Sequence, residues 1–234
     1  MALERVMQFS TWKEGRAGGV VLSMLVALAA VVCAGCDLAG VTATALQGEQ
    51  DIAPAYGGLK GQRVAIMVWA DEGVAMDHPS IRGDVADGLR AKLQQCIDAK
   101  LADLKNTTFL SVAEVLRFQD AHPETQADSA EQIALRFPAA SRLLYVEVES
   151  FSLHPSDSPD LWRGQAMTDV KVVEVANGRA KLAYQADNVG GVYPKDAPPE
   201  GLPGLSDEVV YRKSIDSLTS ELAKLFITHP ADEQ

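Results

Sequence analysis

The stretch DVKVVEVANGRAKLAY, residues 169–184, contains two runs of alternating apolar and polar residues joined by Asn177 and Gly178. Such alternation is typical of β-strands that bury one face. Asn and Gly both tolerate a positive φ, which a two-residue hairpin turn requires at its central positions. We therefore predict an antiparallel hairpin, with one strand over residues 162–175 and its partner from 179 to about 187.

Two further strands are predicted on the amino-terminal side of this hairpin. The run RLLYVEVESFSL, residues 142–153, places Leu144, Val146 and Val148 on one face. The run RVAIMVW, residues 63–69, is short and continuously apolar, which suits a buried strand. Residues 107–110 have the composition of another short strand.

Helices are predicted where apolar residues recur every three or four positions. This spacing runs from Ile81 to Leu104 and again from Tyr211 to Leu225, so one long helix follows the first strand and another closes the domain. Two capping-box patterns, SVAE at 111–114 and SAEQ at 129–132, predict shorter helices between them. The order of elements predicts an α/β fold of the mixed α+β kind, a single mixed sheet with helices packed on it, over residues 62–228. Residues 229–234 are predicted to form a tail.

The amino-terminal segment ends in VVCAGC, residues 31–36, after an uncharged apolar run that begins at residue 17. Arg5, Lys13 and Arg16 precede that run, and this arrangement is typical of an export signal. A redox C-x-x-C pair belongs at a strand–helix junction inside a folded domain. A zinc site needs a second pair of ligands, and the third cysteine, Cys96, is isolated.

The end of this signal resembles the bacterial lipobox, with Ala34 and Gly35 at its two small positions, Cys36 as its cysteine, and Cys33 where leucine is usual. The resemblance implies that residues 1–36 are a lipoprotein signal ending at Cys36, which receives the lipid. Residues 37–61, rich in small, polar, Gly and Pro residues, are then a flexible tether. The alternative is an uncleaved anchor helix, since about 20 apolar residues can span a bilayer. Both place the domain outside the cytoplasm.

The RVAIMVW strand, the helix after it, the DVKVVEVANGRAKLAY hairpin and the closing helix together resemble a group of envelope proteins. This group contains the curli-secretion lipoprotein, the flagellar outer-membrane protein FlgO and the amino-terminal domain of TolB. The resemblance covers about residues 60–227 in layout and implies an envelope interaction module with protein partners.

Charge and motifs exclude several functions. The net charge of −11 and the pI near 4.8, without any run of Lys or Arg, argue against nucleic-acid binding. The sequence contains none of the common catalytic or phosphate-binding motifs, so we expect neither enzyme activity nor a cofactor. Each histidine precedes a proline, which favours loops over a metal site. The four are His78, His122, His154 and His229.

Three functions remain open, and a membrane-tethered binding or assembly module without catalysis is favoured. The second is a periplasmic small-ligand carrier that uses the Pro- and Gly-rich loop 190–205 as a lid. The third is a hydrolase that uses Glu147 and Glu149, which lie on the same side of one strand. A solvated face with Lys171 or Lys181 as cross-strand partners is the simpler interpretation of that pair.

Overall fold

A computed structural model of the chain describes residues 51–137, 139–156 and 158–231. The strands in these residues are β1 (Asp51–Ile52), β2 (Arg63–Ala70), β3 (Thr108–Phe109), β4 (Arg142–Ser152), β5 (Gly164–Ala176), β6 (Arg179–Tyr193) and β7 (His229–Pro230). The α-helices are α1 (Glu72–Asp77), α2 (Ile81–Asp98), α3 (Val112–Ala121), α4 (Ala130–Leu135) and α5 (Asp207–Lys224). Short 3-10 helices occupy Ala102–Leu104 and Pro123–Ala127.

Five of the described strands form one mixed sheet in the order β3-β2-β4-β5-β6. Strand β2 is parallel to its neighbours β3 and β4, whereas β5 is antiparallel to its neighbours β4 and β6. The predicted hairpin is confirmed, since Asn177 and Gly178 have φ values of 51° and 70° between β5 and β6. The predicted α/β class with one mixed sheet is also confirmed.

Helices cover both faces of the sheet. Helices α2 and α5 pack on one face, against Ile66, Val146 and Val172. Helices α3 and α4 pack on the opposite face, against Met67 and Leu143. Strand β2 is therefore buried on both sides, which explains why its sequence is continuously apolar and does not alternate.

Strand β6 is longer than predicted. Gly190 and Gly191, which were expected to end the sheet, pair with Met167 and Ala166. A Cβ atom on Gly191 would lie 2.5 Å from the backbone of Leu218 in α5. Glycine is therefore required there because it lets the helix lie directly on the strand, and the irregular loop starts only after Tyr193.

The described part of the predicted tether, residues 51–61, packs against the domain, and we call this segment the strap. Its β1 pairs with β7, so residues 229–230 of the predicted tail also belong to the fold. Leu59 is fully buried, and the Tyr56 N–H donates to the carbonyl of Leu225. The apolar Leu59 and Tyr56 explain the difference, since each gains by leaving water.

Several local predictions have mixed outcomes. The capping box of α4 is confirmed, with Ser129 and Gln132 each accepting from the other's backbone N–H. Among the described residues, Ser111 makes no side-chain capping bond, although α3 begins after it. Helix α1 was not predicted from the sequence; Asp71 accepts from the Gly73 N–H and starts it. Helix α2 ends at Asp98, before Leu104, because Lys100 has a φ of 61°.

Candidate binding cleft at the carboxyl ends of the parallel strands

The connections that follow β2 and β3 place a cleft at the carboxyl end of β2. Helix α2 crosses one face of the sheet and leads to β3, which lies on one side of β2. Helices α3 and α4 cross the opposite face and lead to β4, which lies on the other side of β2. Where successive connections diverge in this way, the crevice beyond the strand ends commonly binds ligands. Here it is a cleft of about 620 Å³, lined by Trp69, Ala70, Glu72, Ala75, Pro79, Arg82 and Gln126.

The wall of the cleft contains a guanidinium group stacked on an indole. The Arg82 Cζ atom lies 5.8 Å from the centre of the Trp69 ring. Its Nη2 atom donates to Asp120 Oδ1 at 3.0 Å. The side chains of Arg82 and Asp120 are 29% and 64% exposed, so this ion pair is a surface pair. Such pairs contribute about 0.2–1 kcal/mol, and Arg82 is therefore held only weakly in place.

Trp69 brings an unsatisfied hydrogen-bond donor to this wall. Its side chain is only 6% exposed, and within the described residues its indole N–H has no acceptor. A buried donor without a partner costs about 1–3 kcal/mol, and such groups are rare in folded proteins. The indole N–H of Trp69 can therefore donate to an acceptor without breaking an existing hydrogen bond.

The neighbouring edge of β2 is closed by a side chain. Strand β3 is only two residues long and pairs with Arg63 and Val64 of β2. Within the described part of the chain, no strand pairs with this edge of β2 after Val64. Gln119 of α3 fills the gap, and its Nε2 atom donates to the carbonyl of Val68 at 2.9 Å. This bond fixes the backbone that carries Trp69.

A second network holds the start of α2 in place. The Tyr211 hydroxyl donates to Asp84 Oδ2 at 2.7 Å, and burial raises the pKa of Tyr211 to about 12. The ring of His78 stacks on Tyr211 at 5.5 Å and meets Phe151 edge-on at 4.8 Å. The helix terminus that borders the cleft is therefore fixed by packing on α5.

The predicted lipidation site and the predicted carboxylate pair lie elsewhere. Cys36 lies outside the described residues. Glu147 and Glu149 lie on either side of the buried Val148 in β4, and neither lines the cleft. Asp169, and not a lysine, is the cross-strand neighbour of Glu147. The charge of Asp169, together with a hydrogen bond between the two carboxyl groups, raises the pKa of Glu149.

The lysines expected beside this pair have other neighbours. Lys171 lies opposite Tyr145, with its Nζ atom 5.7 Å from the ring centre, and Lys181 lies opposite Glu174. The expected neutralisation of the carboxylates by lysine is therefore wrong. The bulge between Val148 and Ser150 displaces the strand register at this point, and sequence spacing does not reveal it.

Other candidate ligands are dispersed. In the portion of the chain that the structure describes, no group of three or more His, Cys, Asp and Glu side chains could hold a metal ion. Cys96 is partly buried against the core, and this burial raises the pKa of its thiol. The helices within residues 51–137, 139–156 and 158–231 are too short or too polar to cross a membrane.

The cavities beside the Pro- and Gly-rich loop are polar. One of about 380 Å³ is lined by Ser152, His154, Pro155, Ser156, Ser158, Gln165, Pro199 and Glu200. Another of about 380 Å³ is lined by Arg163, Gly190, Val192, Lys195, Ser217 and Glu221. The loop itself is fixed by paired backbone bonds between Leu202 and Trp162 at 2.9 and 3.0 Å. These features do not match an apolar pocket under a movable lid.

The sequence matches no protein-family model and no curated protein. Solved structures with a similar arrangement include the PelC dodecamer from Paraburkholderia phytofirmans, at 14% identity and a TM-score of 0.37, covering 77% of this chain and 97% of that one. Another is the hypothetical protein CT253 from Chlamydia trachomatis, at 11% identity and a TM-score of 0.40, covering 70% and 90%. A third is lipoprotein GNA1162 from Neisseria meningitidis, at 8% identity and a TM-score of 0.40, covering 69% and 97%. At such low identities and scores, these similarities assign no activity or partner to the present chain.

Proposed function

We propose that this chain is a membrane-tethered lipoprotein of the bacterial envelope, anchored through Cys36, whose domain binds other envelope components without catalysis. The observation that carries the proposal is the uncharged run that ends in Ala34-Gly35-Cys36 after Arg5, Lys13 and Arg16. A domain that faces the periplasm or the cell exterior follows from that signal.

The layout of the domain supports a binding role. Strand β2 begins two residues after the end of the strap and ends at the cleft. At roughly 3.3 Å per residue, the length of β2 separates the end of the strap from the cleft by about 26 Å. The chain segment toward Cys36 joins the domain at residue 51, on the strap. A ligand in the cleft would therefore bind at the other end of β2 from the end of the strap.

A periplasmic small-ligand carrier is the second candidate. The cleft favours it, because a volume of about 620 Å³ lies within the range of roughly 300–1,000 Å³ that is usual for small-molecule sites. In this version of the proposal the cleft at the end of β2, and not loop 190–205, holds the ligand. A hydrolase that uses Glu147 and Glu149 has less support, since both lie outside the cleft.

Metabolic labelling with a clickable fatty acid tests the anchor. We expect the wild-type chain to be labelled and to sediment with membranes, and Cys36→Ala to abolish both. Cys33→Ala is the matched control, because this cysteine belongs to the removed signal and its loss should leave labelling unchanged. Labelling and membrane association that persist in Cys36→Ala would disprove the lipoprotein proposal.

A further inference from the structure

We propose that the cleft at the end of β2 binds a carboxylate carried on a short apolar group, and that Trp69 and Arg82 donate hydrogen bonds to this carboxylate. This inference rests on the proposed role of the domain as a binding module. It names the chemistry that the cleft recognises.

The first argument is the unpaired donor of Trp69. A residue that is only 6% exposed normally has its polar side-chain atom satisfied, whereas this indole N–H has no acceptor in the described residues. Trp69 also forms part of the cleft wall. An acceptor oxygen brought by a ligand would complete the missing bond.

The second argument is the start of α2, an 18-residue helix that begins beside Pro79 at the cleft wall. Within the described chain Ser80 makes no side-chain capping bond, and the backbone N–H groups of Arg82 and Gly83 have no acceptor. The free N–H groups of a helix start carry partial positive charge and favour anions. They add donors to the same side of the cleft as Arg82.

The third argument concerns Arg82, which lies over the Trp69 ring and has an exposed carboxylate as its partner. A guanidinium has five N–H donors, and one of them donates to Asp120, so several remain for a carboxylate. The indole nitrogen is shielded from solvent, so the proposal requires the Arg82 side chain over the ring to move when a carboxylate binds. A weak surface pair permits that movement.

The remaining lining residues restrict the ligand. Ala70, Ala75 and Pro79 offer a small apolar surface. Glu72, also in the lining, repels ligands with several negative charges, so a single carboxylate is favoured. The carboxyl end of a peptide and a short fatty acid both have this chemistry.

The test uses the full-length chain in a neutral detergent, with ¹⁵N label in its tryptophans, so that the indole resonance of Trp69 is followed directly. The probes are N-acetyl-Ala-Ala, the carboxyl-terminal amide of the same peptide, and butyrate. We expect at least one carboxylate to shift the Trp69 resonance in a saturable way and to bind at least about tenfold more tightly than the amide, because charge-assisted hydrogen bonds are the stronger ones. Preference for N-acetyl-Ala-Ala identifies a peptide end as the ligand, and preference for butyrate identifies a fatty acid.

Variants separate the site from general effects on the surface. Calorimetry should show that Trp69→Phe and Arg82→Gln each weaken carboxylate binding by about fivefold or more, since each removes a donor. Arg90→Gln, on the same helix but outside the cleft, should bind as the wild type does, and Arg82→Gln alone decides the matter if Trp69→Phe does not fold. Equal binding of acid and amide, or a Trp69 resonance that never moves, would overturn the inference. Either result would leave fatty-acid labelling at Cys36 unaffected, so failure here is distinct from failure of the lipoprotein proposal.

Discussion

At the strap end of the sheet, Arg142 donates from Nε to the Tyr56 hydroxyl at 3.1 Å, and its Nη2 atom lies 3.3 Å from Glu174 Oε1. At the cleft end, Arg82 has one exposed carboxylate partner, and the indole N–H of Trp69 has none in the described chain. The two ends therefore differ in how completely their polar groups are paired, although both contain an arginine beside an aromatic ring.

This difference separates stability from binding. Buried polar groups that are fully hydrogen-bonded stabilise a fold. A buried polar group that lacks a partner is expected mainly at functional sites, where ligand binding is a requirement in addition to stability. Burial and the hydrogen bond to Glu174 raise the pKa of Tyr56, so its hydroxyl stays protonated and donates. The strap end thus has the features of a structural clamp, and the cleft end those of a ligand site.

The largest expected effect comes from removing the apolar part of the clamp. Leu59→Ala should lower the free energy of unfolding by about 3 kcal/mol, because Leu59 is fully buried and its truncation leaves a cavity. Denaturant unfolding measures this change. Ile52→Ala, in the same strap but 46% exposed, is the control and should cost less than about 1 kcal/mol. A loss from Leu59→Ala as small as that from Ile52→Ala would show that the strap does not belong to the folded core.

A smaller effect should distinguish the two arginines. Arg142 is 14% exposed and bonds to Tyr56, Glu174 and the Gly58 carbonyl, so Arg142→Gln should lower the free energy of unfolding by about 2 kcal/mol. Arg82→Gln should lower it by less than about 1 kcal/mol, since its ion pair is exposed. The two variants are matched in chemistry, and denaturant unfolding of both gives the comparison. An equal loss from each would remove the distinction between the ends of the sheet.

Sequence reasoning predicted the elements that depend on local patterns. The hairpin follows from Asn177-Gly178, and the strands and long helices follow from apolar spacing, because these signals act between near neighbours. The same four-residue signature gave a capping box at Ser129 and none at Ser111 among the described residues. The capping pattern therefore predicts where each helix starts. It does not predict whether the capping hydrogen bonds form, because these also depend on tertiary packing.

The cleft was not predicted, because it depends on contacts between distant segments. Trp69 is the last residue of the apolar run that predicts β2, and nothing in that run indicates an unpaired indole N–H. Nothing in the sequence pairs Arg82 with Asp120 or Asp84 with Tyr211, because the two partners belong to other helices. A tryptophan at the end of a parallel strand, followed by a helix start, is the signal that would have indicated this site.

The smallest expected effect concerns the like charges at the cleft end, where Glu149 has Asp169 as its neighbour in place of a cation. Because the charge of Asp169 raises the pKa of Glu149 in the folded state, the folded chain binds this proton more tightly than the unfolded chain does. Stability from this group is therefore present at acidic pH and is lost as the pH rises through the raised value. Glu149→Gln should raise the urea midpoint slightly at neutral pH and leave it unchanged at a pH below the ordinary range of glutamate.

The control is Asp160→Asn, since Asp160 is an exposed carboxylate on a loop, and this variant should change the midpoint at neither pH. A Glu149→Gln variant that loses stability at neutral pH would mean that the carboxylate has a favourable partner, and that the cleft end is as well paired as the strap end.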